Sequence, residues 1–420
     1  MSSQGYPSLL LLPLPPRPPS RASLSAAYRP SLLAVLSRVK SPARSSVLIV
    51  AVVCPLLRGA SPKTKSLSWA AAQSLVAGLY SLIALICAEE AIATDVNGGP
   101  GSVDARVVLV DHDANRRFAP DFVAAVEPNN TTVVDLPTFA SAYHPWNFIF
   151  HVNSEQGYRT LSAYLKFAEN RQTILQSQLA VVEAGLSMNI EGSGEDPGED
   201  TPGYSIVCLG GTFDHLHPGH KLLLTAAALL LRVPVKDSTS SCRLIVGITG
   251  DQLLVNKKHA ELVQSWDDRA QYTIEFLSSL LELNKGGWKK KTSLAETVTK
   301  QPGRVEATFR GGAIIVECVE IQDGFGPTVT QEDMDVLVFS GETRSGGQAV
   351  NDKRTAQGWK PLETFEVEVL NANEPDDGDE ATHMENFASK ISSTAIRQQK
   401  AEAAAAAAAT ARPDSKSRLA

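Results

Sequence analysis

The chain has 420 residues, of which 43% are hydrophobic and 20% charged, and its formal net charge is −7. That length holds two or three domains with sizeable cores, and the acidic balance argues against a general nucleic-acid binder, whose footprint is basic. Cys54, Cys87, Cys208, Cys242 and Cys318 are scattered without a CxxC pair, so neither a disulfide framework nor a zinc site is expected, and a reducing compartment is.

Residues 1–44 contain Arg17, Arg21, Arg29, Arg38, Lys40 and Arg44 and no acidic residue. Residues 9–12 are too few for a secretory apolar region and are cut off by Pro13, Pro15 and Pro16. Proline-rich and without a sustained amphipathic pattern, this segment is expected to be flexible. A cytoplasmic location is the main expectation. The basic, serine-containing start also fits a mitochondrial presequence, which is the alternative.

Residues 47–53 read as a fully buried strand, followed by an apolar helix over 69–91. Its central run, residues 75–88, falls short of the roughly 20 residues that span a bilayer, so a buried layer helix is expected and no membrane contact. Strands near 106–111, 132–136 and 148–152 and a helix over 157–169 complete an α/β domain of unknown role, residues 45–190. Residues 191–203, EGSGEDPGEDTPG, read as a flexible acidic linker.

The second domain, 204–400, begins with a strand at 204–209 and a helix at 219–232. A strand at 243–248, a helix at 265–283 and a basic loop at 285–304 with Lys289, Lys290 and Lys291 follow. Strands at 313–319, 336–340 and 365–370 make this a doubly wound parallel sheet, in which ligands collect at the carboxyl ends of strands. An acidic insertion, 375–385, and an alanine-rich tail, 401–420, complete the chain.

The chemistry concentrates in Gly210-Gly211-Thr212-Phe213-Asp214-His215-Leu216-His217-Pro218-Gly219-His220. Between a strand and a helix, Gly210 and Gly211 permit close backbone approach to a phosphate. Thr212 offers a hydroxyl, and Pro218 suits the first helical turn, where its missing N–H costs nothing. His217 and His220, three apart at a helix N-terminus, can address one anion with help from the helix dipole. The plain alternative is a glycine turn with surface histidines. Two histidines, a threonine and an aspartate in one loop weigh against it.

GTFDHLHPGH resembles the (H/T)xGH signature of the nucleotidyltransferase superfamily of cytidylyl- and adenylyltransferases. A second signature of that superfamily, ISSTxxR, is matched by Ile391-Ser392-Ser393-Thr394-Ala395-Ile396-Arg397. Between them, Val246-Gly247-Ile248-Thr249-Gly250-Asp251, Asn256-Lys257-Lys258 and Asp267-Asp268-Arg269 resemble segments of eukaryotic and archaeal phosphopantetheine adenylyltransferases. So do Val338-Phe339-Ser340-Gly341-Glu342-Thr343 and Gly346 to Arg354. The likeness covers about residues 204–400, and the arrangement as a whole is most similar to the fungal form. It departs at Ser345, where animal members carry an arginine before the paired glycines; here the arginine is Arg344.

The resemblance implies a Rossmann-like nucleotidyltransferase fold, preceded here by a second α/β domain. It implies attack of 4′-phosphopantetheine on the α-phosphorus of ATP, giving dephospho-coenzyme A and pyrophosphate. The nucleophile is already an anion, so catalysis is positioning and charge stabilisation. His220 would stabilise the pentavalent phosphorus, with His217 and Thr212 on neighbouring oxygens, and Lys257 or Lys258 would grip the acceptor phosphate. Gly210, Gly211, Phe213, Asp214 and Gly219 would form the ATP loop. Arg354, Ser393, Thr394 and Arg397 would hold the β- and γ-phosphates, and Thr343 and Asn351 would contact substrate. Mg²⁺ would arrive with ATP, held by phosphate and water rather than by a protein metal site. Other enzymes of coenzyme A synthesis are candidate partners of the N-terminal domain. The alternatives are an FMN, nicotinamide mononucleotide or cytidylyl transferase of the same superfamily, or a non-catalytic scaffold.

Overall fold

A computed structural model describes residues 5–119, 121–142, 145–186, 198–235, 240–283, 297–370 and 392–410. The N-terminal half runs β1 (Ser8–Leu12), α1 (Arg21–Val39), β2 (Ser46–Cys54), α2 (Trp69–Glu89), β3 (Val103–Asp111) and β4 (Val134–Asp135). It continues with α3 (Leu136–Ala142), β5 (Ile149–Val152), α4 (Glu155–Ala168) and β6 (Leu179–Val182). Its six strands pair in the order β4-β3-β2-β1-β5-β6, all parallel. Successive side chains alternate between the faces. Leu10, Leu12, Leu48, Val50 and Val52 pack with α1 and α2, whereas Leu9, Leu11, Ile49 and Ala51 pack with α3 and α4. Burial on both faces is why β1 and β2 read as unbroken apolar runs.

The expectation of a flexible segment over residues 1–44 is corrected. Strand β1 lies between β2 and β5, and Leu9 to Leu12 are fully buried. Each buried leucine contributes about 1.5–3 kcal/mol, which orders the proline-rich loop behind it. The domain therefore starts near residue 8 rather than 45, and removal of residues 1–44 would take out a central strand. Helix α1 contains Pro30, which cannot donate to Ala26 O. Leu186 N takes that carbonyl instead, at 2.9 Å. Gly185 makes the approach possible, because a Cβ there would lie 2.1 Å from the same oxygen. Neither α3 nor β6 was legible in the sequence pattern.

The C-terminal half runs β7 (Ile206–Gly211), α5 (Pro218–Ala228), β8 (Cys242–Thr249), α6 (Trp266–Leu281), β9 (Thr297–Gln301) and β10 (Arg304–Phe309). Next come β11 (Ile314–Ile321), β12 (Val336–Ser340), α7 (Arg344–Ala356), β13 (Glu363–Val367) and α8 (Ser393–Thr410). The sheet order is β13-β12-β7-β8-β11-β10-β9, parallel except for the antiparallel β9 and β10 at one edge. The chain leaves β7 toward β8 and later returns to its other side as β12, which makes β7/β12 the switch point. Part of the expected basic loop is thus a hairpin, while Lys289, Lys290, Lys291 and the acidic insertion at 375–385 lie outside the described residues. The alanines after residue 400 extend α8, as their helix propensity favours.

The two sheets share one hydrophobic core that runs from α1 and α2 through α5 into β8 and β11. Helix α2 is long and apolar enough to cross a membrane, but 78% of its most apolar window is buried inside the protein. Trp69 Nε1 donates to Ala226 O at 2.8 Å, and Arg310 donates to Thr131 O and Thr132 O at 2.8 Å each. The described end of the expected linker is held down, with Asp200 2.7 Å from Arg58 and Thr201 N on Leu67 O at 3.0 Å.

A buried charge cluster crosses the same interface. Lys221, fully buried on α5, donates to Asp104 on β3 at 2.6 Å, and Asp104 also meets Arg106, which reaches Glu275 on α6. Burial alone would raise the Asp104 carboxyl, but the charges of Arg106 and Lys221 hold it at about 2. Lys221 is therefore neither a phosphate contact nor an exposed helix residue. Its place follows from α5 being sandwiched between the two sheets.

Candidate active site

The loop after β7 leaves the sheet at the switch point. Two of its residues, Phe213 and His215, adopt left-handed backbone at φ 52° and 46°. Such conformations cost energy in non-glycine residues and persist where surrounding contacts hold them. Here the contacts are visible. Arg269, fully buried on α6, donates to Thr212 O at 2.7 Å, Thr249 O at 2.8 Å and Gln264 O at 3.0 Å. Gln264 N donates to Asp214 Oδ1 at 2.9 Å, and His215 N donates to Gln264 Oε1 at 2.8 Å. One arginine thus joins the carboxyl ends of β7 and β8.

His217 caps α5: its Nδ1 accepts from Gly219 N at 3.2 Å. In a neutral ring that acceptor role places the proton on Nε2. His217 and His220 stack, with centroids 3.9 Å apart and planes at 25°. Burial first, then the neighbouring His220 ring, which disfavours a second charge, and the Lys221 ammonium hold His217 well below its ordinary value. Burial likewise pushes His220 down to about 4, only partly opposed by Asp214. Both rings are therefore neutral near pH 7 and act as N–H donors. His220 Nδ1 is buried and has no hydrogen-bond partner among the described residues. A group left so is costly, by about 1–3 kcal/mol, and such groups concentrate at working sites.

Glycine serves two purposes in this loop. Gly210 is exposed, and a Cβ there would meet nothing closer than Gly247 O at 3.9 Å, so packing does not demand it. At Gly219 a Cβ would stand 3.1 Å from the His217 ring, so the small residue lets the capping histidine fold back.

Several expected ligand contacts are instead structural. Asp214 is fully buried, accepting from Arg397 Nη1 on Oδ2 and from Ser393 Oγ on its carbonyl at 2.7 Å. Arg397 is 2% exposed and also donates to Lys258 O at 3.0 Å and Thr394 Oγ1 at 3.2 Å. It latches α8 to the β7 loop, with each of its three nitrogens engaged by the protein itself. Arg354 is fully buried, with donors on the carbonyls of Thr328, Gln331, Glu332 and Lys360. Asn351 exchanges two hydrogen bonds with the backbone of Leu362, at 2.8 and 3.0 Å, and so fixes the entry to β13. Phe213 is buried beneath Gly211 and His220, a floor rather than a contact. Asp214, Arg354, Arg397, Asn351 and Phe213 are thus corrected from ligand contacts to supports. A sequence cannot tell an arginine that holds carbonyls from one that holds phosphate.

The remaining candidates belong to the β7 loop or to elements beside it. Gly210, Gly211, Thr212, His217 and His220 line the β7 loop. Ser392 Oγ accepts from Ala395 N at 3.2 Å and caps α8, whose first residues Ser393 and Thr394 sit beside that loop. Thr343 opens α7 at the end of the neighbouring strand β12, its hydroxyl on Ser340 O at 3.2 Å. Lys257 and Lys258 are exposed on the turn after β8, with Lys258 Nζ 3.0 Å from Gln398. Arg344, the displaced arginine, pairs with Glu366 at 2.6 Å. Two helix N-termini and two neutral imidazoles around one loop are the kind of donors that bind an anion. Among the described residues no group of three or more His, Cys, Asp or Glu is placed to hold a metal ion.

One support was not foreseen. His215 places Nε2 3.0 Å from Leu262 O, and its Nδ1 lies 3.1 Å from Lys400 Nζ and 3.4 Å from Asp95. Asp95 belongs to the N-terminal domain, is 1% exposed and pairs with Lys400 at 2.9 Å. Burial would raise its carboxyl, but the His215 hydrogen bond and the Lys400 charge outweigh that and hold it below the usual range. The N-terminal domain thus touches the signature loop itself.

Comparison with known proteins agrees with this geometry. Residues 208–399 match the cytidylyltransferase-like family model, and residues 1–188 match a domain of unknown function. A phosphopantetheine adenylyltransferase of Saccharomyces cerevisiae is 33% identical over 48% of this chain and 50% of its own. An uncharacterized protein of Schizosaccharomyces pombe is 31% identical over 50% of this chain and 52% of its own. A phosphopantetheine adenylyltransferase of Pyrococcus horikoshii is 28% identical over 40% of this chain and 80% of its own. The matched part thus spans about half the length of the two fungal relatives. Over residues 208–399 the chain is thus similar to the cytidylyltransferase-like family.

Proposed function

We propose that the protein transfers the adenylyl group of ATP to 4′-phosphopantetheine, releasing pyrophosphate and forming dephospho-coenzyme A. The observation that carries this reading is the stacked, neutral His217–His220 pair at the N-terminus of α5, at the switch point of a parallel sheet. The relatives named as phosphopantetheine adenylyltransferases support the choice of acceptor.

The acceptor phosphate supplies its own nucleophilic oxygen, so the chain provides no base. Its bond to the α-phosphorus forms as the bond to the pyrophosphate oxygen breaks. His220 donates to the non-bridging oxygens, whose charge grows in the transition state, and His217 Nε2–H and the Thr212 hydroxyl donate beside it. Neutral donors keep the site from trapping its product as a salt. The N-termini of α5 and α8 supply further backbone donors, with Ser393, Thr394 and Thr343 at the rim. Lys257 and Lys258 draw in the acceptor phosphate. Mg²⁺ would accompany the triphosphate and offset its charge, without a dedicated protein site. Arg269, Arg397, Asp214 and Asp95 hold the loop.

The test is pyrophosphate release with ATP and alternative acceptors. Turnover with 4′-phosphopantetheine is expected. Turnover with flavin mononucleotide or nicotinamide mononucleotide and none with phosphopantetheine would sink the reading, and no turnover with any acceptor would favour a scaffold.

A further inference from the structure

The basic, acid-free start of the chain plays no part in the proposed reaction. Folded, it surrounds a cavity of about 270 Å³ at the amino ends of β1, β2 and β5, where Arg38, Lys40 and Arg44 meet Tyr6, Ser46 and Phe148. No carboxylate is among its described lining residues, and none among the described residues pairs with Arg38 or Arg44. On a chain of net charge −7, such a concentration of uncompensated cations stands out.

The cations are held in place. The Arg38 guanidinium lies 5.2 Å from the Phe148 ring centroid and 5.4 Å from that of Phe150, a cation–π seat that orients its donors. Lys40 Nζ donates to Glu90 O at 3.1 Å and Ala91 O at 3.3 Å, which anchors its charge without neutralising it. Arg44 lies against Gly5, where a Cβ would sit 2.6 Å from Nη1. The C-terminus of α1 faces the same cavity and carries roughly half a negative charge. Three full positive charges outweigh it.

We propose that this cavity binds a small phosphoanion, a phosphomonoester or pyrophosphate, gripped by the Arg38 and Arg44 forks. Forked guanidiniums match phosphate geometry, and the volume, just below that of pockets for drug-sized ligands, suits a small anion.

Calorimetric titration of the full chain with inorganic pyrophosphate, and separately with glycerol phosphate, tests this. Wild type and Arg38→Ala/Arg44→Ala are compared, and His217→Gln/His220→Gln is titrated in parallel because pyrophosphate also fits the nucleotide site. A binding event that persists in the histidine variant, weakens with salt and drops at least tenfold in the arginine variant supports the site. Both arginines are exposed, so the arginine variant should keep the wild-type melting temperature and adenylyl transfer. Identical titrations of wild type and arginine variant, or no event surviving in the histidine variant, overturn the proposal. The ligand bound more tightly identifies the phosphate source.

Discussion

The two halves share one plan and differ at the point where that plan places ligands. Each is a parallel sheet with a switch point, β1/β5 in the first and β7/β12 in the second. After β7 the chain runs Gly210-Gly211-Thr212, offering backbone donors and room. After β1 it runs Pro13-Leu14-Pro15-Pro16-Arg17-Pro18-Pro19, and each proline lacks an N–H. The first loop can cradle a phosphate against its backbone and the second cannot. Architecture supplies the place, and loop chemistry decides whether a site occupies it. What the N-terminal half contributes to the nucleotide site is support, through Asp95 on His215 and Asp104 on Lys221.

The sharpest break of that comparison is Asp104→Ala, which leaves buried Lys221 without its carboxylate. A loss of about 3–5 kcal/mol in unfolding free energy is expected by denaturant titration. Independent unfolding of the two halves with no such loss would mean the interface is only adjacency. Next, His220→Ala should lower kcat/KM at least a hundredfold, about 3 kcal/mol, with the unfolding midpoint unchanged. An unaltered rate discards the proposed role.

Acid sharpens the contrast. Because the folded-state value of His220 is depressed from 6.5 to about 4, the unfolded chain takes up its proton first. Stability from the neutral pair is complete above about pH 6.5 and declines as pH falls toward 4, a loss that His217→Gln/His220→Gln should not show. The Asp104 cluster, held at about 2, keeps its contribution until pH drops below its ordinary 3.8. Melting curves from pH 7 to pH 3 on both proteins check the order. The smallest effect on folding is expected for Gly210→Ala, within about 0.5 kcal/mol, since no packed neighbour meets the new methyl. Its KM for ATP should still rise severalfold, because the methyl occupies the approach of a phosphate. An unchanged KM would place the nucleotide elsewhere.

Most of the second domain was legible, since its strands and helices are long, periodic and punctuated by glycine and proline. The strand, glycine turn and helix around 210–220 were legible because the three are contiguous in sequence. Errors arose where a polar residue has two possible uses. Arg354 and Arg397 carry the same guanidinium whether it meets four carbonyls, a buried aspartate or a triphosphate, and only packing distinguishes these. The first 44 residues misled for a different reason: a four-leucine strand is too short to announce itself, and its partners β2 and β5 lie about 40 and 140 residues away.

By itself the sequence determined the two α/β layers, the glycine loop after β7 and the pair of histidines, because these depend on periodicity and adjacent residues. Tertiary structure alone decided that β1 is central, that both sheets share one core, and that Lys221, Asp214, Arg354 and Arg397 are internal ties. Burial and pairing between distant segments set those roles, and neither is written in local pattern.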